Sequence, residues 1–84
     1  MVLFALTKQG VAEILDSVRS REMVLWVNHG LLGAPDLERL RAEGFELTSF
    51  TRWIDPADQA DIESAVETIR EHHPGQVLYV ERSW

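Results

Sequence analysis

Two unbroken apolar runs in the first third of the chain predict strands that are buried on both faces. Residues 2–6 read Val-Leu-Phe-Ala-Leu and residues 23–27 read Met-Val-Leu-Trp-Val. Neither run has the polar alternation of a strand with one face in water. A turn-like segment, Asn28-His29-Gly30, follows the second run. We therefore expect both runs to be central strands of a parallel sheet.

The rest of the pattern alternates helices with strands. Apolar residues recur at helical spacing in residues 9–20, in residues 35–43 and from Pro56 to about His72, which predicts three helices. Gly44 suits a left-handed cap at the end of the second helix. Asp55 is the expected N-cap of the third. Residues 45–54 alternate without a uniformly apolar face, which is typical of an edge strand. Residues 77–80 form the last expected strand.

This order predicts an α/β fold, β-α-β-α-β-α-β, as a single small three-layer domain over residues 1–84. The four-stranded sheet should be mostly parallel. Strand order 3-2-1-4 is favoured because it puts the mixed third strand at an edge, whereas 2-1-3-4 would bury it. The alternative is a ferredoxin-like α+β plait in which residues 35–43 are only a connection.

Charge and composition narrow the classes of function. Residues 43–84 hold nine acids and three bases, which accounts for the whole net charge of −6. Without a basic stripe, direct binding to nucleic acid or to an anionic membrane is not expected. The chain has no cysteine, and its apolar start is too short to span a membrane and lacks the basic flank of a signal peptide. We therefore expect a cytoplasmic protein with no cofactor.

One group of candidate residues lies where parallel strands end. Lys8 and Gly10, beside a helix N-terminus, could hold a small anionic ligand together with Asn28 and His29. His29 and Asp55 could form an acid–base pair, with Asn28 stabilising an oxyanion, although no suitable nucleophile accompanies them. Neither a dinucleotide-binding nor a P-loop motif is present.

A second group could contact a protein partner. Four acids are expected on the outer side of the last helix, namely Asp61, Glu63, Glu67 and Glu71. We expect a core this small to leave some of its aromatic residues exposed, and the candidates are Phe50, Trp53 and Trp84. His72 and His73 are adjacent and should point to different sides of a helix, so no metal site is expected.

These observations favour a non-enzymatic protein-interaction module. It could be an inhibitor or immunity-type protein whose carboxylates cover a basic, nucleic-acid-binding surface of a partner protein, or a homodimer across the third strand. The alternative is a minimal Rossmann-like domain that binds an anion at the ends of the strands. A small hydrolase using His29 and Asp55 is the third hypothesis.

Overall fold

A computed structural model describes residues 1–17 and 23–81 of the chain and shows a small α/β domain. Its strands are β1 (Val2–Ala5), β2 (Val24–Val27), β3 (Glu46–Ser49) and β4 (Leu78–Val80), and its helices are α1 (Lys8–Ser17), α2 (Ala34–Ala42) and α3 (Gln59–His72). The strands form one sheet in the order β3-β2-β1-β4, and all three pairings are parallel. The predicted α/β topology and the favoured strand order are confirmed, and the ferredoxin-like plait is excluded.

The two central strands supply a core on each side of the sheet. Because side chains alternate along a strand, Phe4 and Trp26 point to one face while Leu3 and Leu25 point to the other. The first face packs against the buried side of α3. The second packs against α1 and α2. These contacts give the three layers that the apolar runs predicted.

α2 has the boundaries that its Pro and Gly predicted. Gly33 is the N-cap, and Pro35 lies in the first turn, where a missing N–H costs no helical hydrogen bond. At the other end Gly44 has a φ of 101°, a left-handed conformation that favours glycine. This turn leads directly into β3.

The expected third strand, residues 45–54, was too long. The ladder ends at Ser49, and Phe50 turns its ring onto Phe4 and Trp26, with ring centroids 5.3 and 5.2 Å apart. Ile54 is fully buried away from the ladder because its backbone bonds to the side chain of Asn28. We call residues 50–58 the β3–α3 loop.

Asp55 is not the N-cap of α3 as predicted. That position belongs to Asp58, whose carboxylate accepts from the amides of Ala60 and Asp61. Asp55 instead closes the preceding turn, accepting from Ala57 N at 2.9 Å. Asp55 and Asp58 lie on either side of Pro56, and an aspartate at either position can cap a turn. Asp58 caps the helix because the backbone that follows it is helical. Residues 18–20 of the expected first helix lie outside the described residues.

Candidate functional site

The side chain of Asn28 holds the carboxyl ends of the strands together. It lies directly after β2 and is completely buried. Its amide nitrogen donates to Leu6 O at 3.1 Å and to Ile54 O at 2.7 Å. Its oxygen accepts from the amides of His29 and Ile54, both at 2.8 Å. An amide offers two donor hydrogens and two lone pairs, so Asn28 has no hydrogen-bonding capacity left for a ligand or an oxyanion.

The start of α1, where an anion was expected, holds a carboxylate of the chain itself. Glu81 Oε1 accepts from the amides of Leu6 and Thr7 at 2.7 and 2.8 Å. Glu81 Oε2 accepts from the Thr7 hydroxyl at 2.7 Å. A Cβ at position 10 would collide with this carboxylate, so Gly10 makes room for it. Gly10 N donates to the Thr7 hydroxyl at 3.2 Å, so a carboxylate and a hydroxyl of the chain itself lie where an external anion was expected.

The structure leaves the other two residues of the expected anion site on the surface. Lys8 and His29 are exposed, and the ring nitrogen Nδ1 of His29 lies 3.1 Å from Phe50 O. Among the five candidates of this group, Gly10 has a different role from the one expected and Asn28 is fully bonded. Glu81, which fills the start of α1, was not among the residues predicted for this site.

His29 and Asp55 do not form an acid–base pair in the described part of the chain. The His29 ring contacts the backbone of Phe50, whereas the Asp55 carboxylate accepts from Ala57 N. Each of the two side chains therefore contacts the backbone of the β3–α3 loop. Within residues 1–17 and 23–81, the structure also shows no group of three or more histidine, aspartate or glutamate side chains that could hold a metal ion.

Asp61 lies in the first turn of α3, but its carboxylate is bonded to the β3–α3 loop and is not free on the outer face. Its carboxylate accepts from Arg52 Nη1 at 2.7 Å and from Asp55 N at 2.9 Å. The Asp55 amide, and after it the Arg52 guanidinium, hold the pKa of the Asp61 carboxyl below its usual range. The Asp61 carboxylate is therefore bonded to groups of the same chain, whereas Glu63, Glu67 and Glu71 form no ion pair with the described residues.

The two described aromatic candidates differ in how far they are exposed to solvent. Phe50 is half-buried against the core, whereas Trp53 keeps 51 % of its surface exposed in the β3–α3 loop. Trp84 lies outside the described residues. A contact that the sequence analysis missed joins Trp26 to His72 and His73, at ring centroid distances of 5.4 and 5.9 Å.

The two histidines do not point to different sides as expected. His72 is the last residue of α3, but His73 is its C-cap with a non-helical backbone, so the 100° step between helical neighbours does not apply. Both rings therefore reach Trp26. The indole Nε1 of Trp26 is buried and has no hydrogen-bond partner within the described residues.

Glu63, Glu67 and Glu71 remain exposed on α3, and we call these three residues the acidic face. They make no ion pair with any other described residue. Two of them border a groove of about 490 Å³ beside β4, which is lined by Gln59, Ile62, Glu63, Val66, Glu67, Arg70 and Val80. The acidic face is therefore a predicted candidate surface whose three charged groups form no ion pair within the described fold.

Comparison with known proteins adds no relative to this description. The chain matches no protein-family model, no curated protein and no solved structure. None of the described helices has the length and apolar character needed to cross a membrane.

We predict that Asn28→Ala lowers the free energy of unfolding by roughly 3 kcal/mol or more, because three buried backbone groups and the partly buried His29 amide lose their partner. Urea denaturation measures the loss, and faster hydrogen exchange of the Ile54 amide localises it. Gln9→Ala, at an exposed position, is the control and should stay within about 0.5 kcal/mol of the wild type. Equal stability of Asn28→Ala and wild type would contradict this role.

Gly10→Ala should have opposite effects in two backgrounds. In the wild type the new methyl group displaces the Glu81 carboxylate and lowers stability. In a Glu81→Ala background it meets no carboxylate, and the better helix propensity of alanine should raise stability by up to about 1 kcal/mol. A double-mutant cycle by chemical denaturation measures both effects. Additive changes would show that Gly10 and Glu81 are not coupled.

The stability advantage of the wild type over Asp61→Asn should shrink as the pH falls. The pKa of Asp61 is lowered in the folded state, so its contribution is complete above the ordinary value of 3.8 and is lost as the pH falls toward the folded pKa. Denaturation curves of both proteins between pH 7 and about pH 2.5 test this. A difference that grows on acidification would contradict the assignment.

Proposed function

We propose that this protein is a non-enzymatic interaction module that binds a basic surface of another protein through the acidic face of α3. The observation that carries the proposal is the row of three exposed carboxylates, Glu63, Glu67 and Glu71, without an ion-pair partner among the described residues. At steps of four residues they lie on one side of the helix, about 6 Å apart along its axis.

This arrangement has a cost in the free protein. Like charges four residues apart destabilise a helix by about 0.2–0.5 kcal/mol for each pair. Arg70 lines the same groove as Glu63 and Glu67, but it forms no ion pair with the acidic face in the described structure. A partner that brings lysine or arginine to the acidic face would remove this repulsion and gain electrostatic attraction.

A row of carboxylates offers the same kind of charge as successive phosphates of a nucleic acid. A surface that binds nucleic acid is rich in lysine and arginine, which also bind carboxylates. The proposed partner is therefore a protein with a nucleic-acid-binding surface, and the module would act as an inhibitor by covering that surface. The net charge of −6 favours fast association with such a partner at low ionic strength.

The contacts at the ends of the strands give less support to the other two hypotheses. The position expected for a small anion is taken by Glu81, and Asn28 has no free donor. The two proposed hydrolase residues are each bonded to neighbouring backbone. Pairing of two copies across β3 is also less favoured, because Arg41 Nη2 already donates to Leu47 O at 2.9 Å.

We expect charge reversal of the acidic face to abolish partner binding. The test variant carries Glu63→Lys, Glu67→Lys and Glu71→Lys. The control carries Glu13→Lys, Glu38→Lys and Glu43→Lys on exposed positions of the α1–α2 side, so that the net charge changes equally. Each immobilised protein is offered the nucleic-acid-binding fraction of a cell extract at two salt concentrations, and retained proteins are quantified by mass spectrometry.

The wild type and the control should retain the same proteins in a salt-sensitive manner, and the test variant should lose them. Retention of those proteins by the test variant would overturn the proposal, and so would the absence of any salt-sensitive binding to the wild type. Circular dichroism of the three proteins establishes that they are equally folded.

A further inference from the structure

The side of α3 that borders the groove beside β4 carries both signs of charge around an apolar centre. Gln59, Glu63, Val66 and Arg70 follow one another at steps of four, three and four residues, which places them on one side of the helix. All four line the groove. Glu63 and Arg70 are exposed, and Val66 between them is half-buried. We call these four residues the α3 stripe.

The two charges of the α3 stripe do not neutralise each other within one copy of the chain. Glu63 and Arg70 are seven residues apart, which separates them by about 10 Å along the helix axis. Neither of them forms an ion pair with another described residue, and Arg70 does not pair with Glu67, three residues before it. Both charged groups can therefore meet an opposite charge on another molecule.

The α3 stripe is complementary in charge to a second copy of itself. When two α3 helices are placed antiparallel with a two-fold axis midway between positions 66 and 67, Glu63 of each copy lies opposite Arg70 of the other. A two-fold axis repeats every contact, so the arrangement contains two Glu63–Arg70 pairs. Val66 of one copy meets Val66 of the other beside the axis. One stripe therefore supplies both halves of an interface.

We propose that the α3 stripe is the interface of a homodimer in which two α3 helices pack antiparallel. Arginine suits this contact because its planar guanidinium can bond a carboxylate through two N–H groups. The contacts are made by side chains of α3, so the interface requires no free backbone groups on β4. Glu67 and Glu71 lie further round the helix and remain available in both copies, so the dimer does not depend on the proposed function.

The net charge of −6 on each copy opposes this dimer only weakly at physiological ionic strength. The Debye length is then about 8 Å, which is shorter than the radius of gyration of 11.9 Å, so carboxylates far from the interface are screened. Glu67 is different, because it lies next to the two-fold axis and approaches Glu67 of the other copy. We therefore expect Glu67→Gln to strengthen the dimer.

The experiment is a charge exchange followed by sedimentation equilibrium at about 0.15 M ionic strength. Glu63→Arg and Arg70→Glu each bring like charges together at two symmetric contacts, so each should weaken the dimer about tenfold or more. An equimolar mixture of the two variants should associate again, because each supplies the charge that the other lacks. The control is Glu71→Arg, which changes the net charge as Glu63→Arg does but lies off the stripe, and it should stay within about twofold of the wild type.

A covalent cross-link tests the position of the axis independently. The chain contains no cysteine, so a single introduced thiol can form a disulfide only with a second copy. Because disulfide geometry requires the two positions to lie close together, mild oxidation should convert Val66→Cys into a covalent dimer. Glu71→Cys, at an exposed position of the same helix away from the stripe, is the control and should remain monomeric on a denaturing gel.

A wild type that stays monomeric up to about 1 mM overturns the inference. So does a dimer that survives both Glu63→Arg and Arg70→Glu, a mixture of these variants that does not associate, or a dimer that Glu71→Arg weakens equally. Circular dichroism checks the folding of each variant. If one single variant does not fold, the double variant with both changes decides the matter, because it should associate like the wild type. A monomeric protein could still bind basic partners, so this failure is distinct from failure of the proposed function.

Discussion

The hydrogen bonds of the buried Asn28 amide hold together the carboxyl ends of the strands, and the arrangement of this end of the domain depends on them. A side chain with no exposure to water must have its polar atoms bonded, and Asn28 achieves this through Leu6, His29 and Ile54. These partners come from the end of β1, the end of β2 and the β3–α3 loop. Moving any of the three segments would leave buried polar groups unsatisfied, so one polar residue determines where all of them lie.

Internal contacts also explain why the ends of the strands are not the best candidate site. In open α/β sheets this region commonly binds ligands, because helix N-termini and free amides collect there. In this protein Glu81 satisfies the amides of Leu6 and Thr7, and the β3–α3 loop is fastened by the Arg52–Asp61 ion pair. Several polar groups of the region thus serve the fold, whereas the carboxylates of the acidic face form no ion pair with the described residues.

The features that the sequence predicted are those set by local pattern. The apolar runs of β1 and β2 indicated central strands, and the positions of Pro35 and Gly44 indicated the ends of α2. The misassigned features depend on contacts between distant residues. Ile54 continues the alternation of β3 in sequence, but Asn28, 26 residues earlier, removes it from the ladder. Glu81 is 75 residues from Leu6, and no spacing rule could connect the two.

Burial of the inner face of α3 stabilises the helix by more than the repulsion costs among the carboxylates of its outer face, which form no ion pair with the described residues. Its inner face buries Ile62, Ala65 and Ile69 against the sheet, and a buried large aliphatic side chain contributes about 1.5–3 kcal/mol. Repulsion within the acidic face costs only about 0.2–0.5 kcal/mol for each neighbouring pair. The core therefore holds the helix in place whether or not the carboxylates are neutralised. Because the two sets of residues do not overlap, the outer face of α3 can be altered for binding with little effect on the stability of the fold.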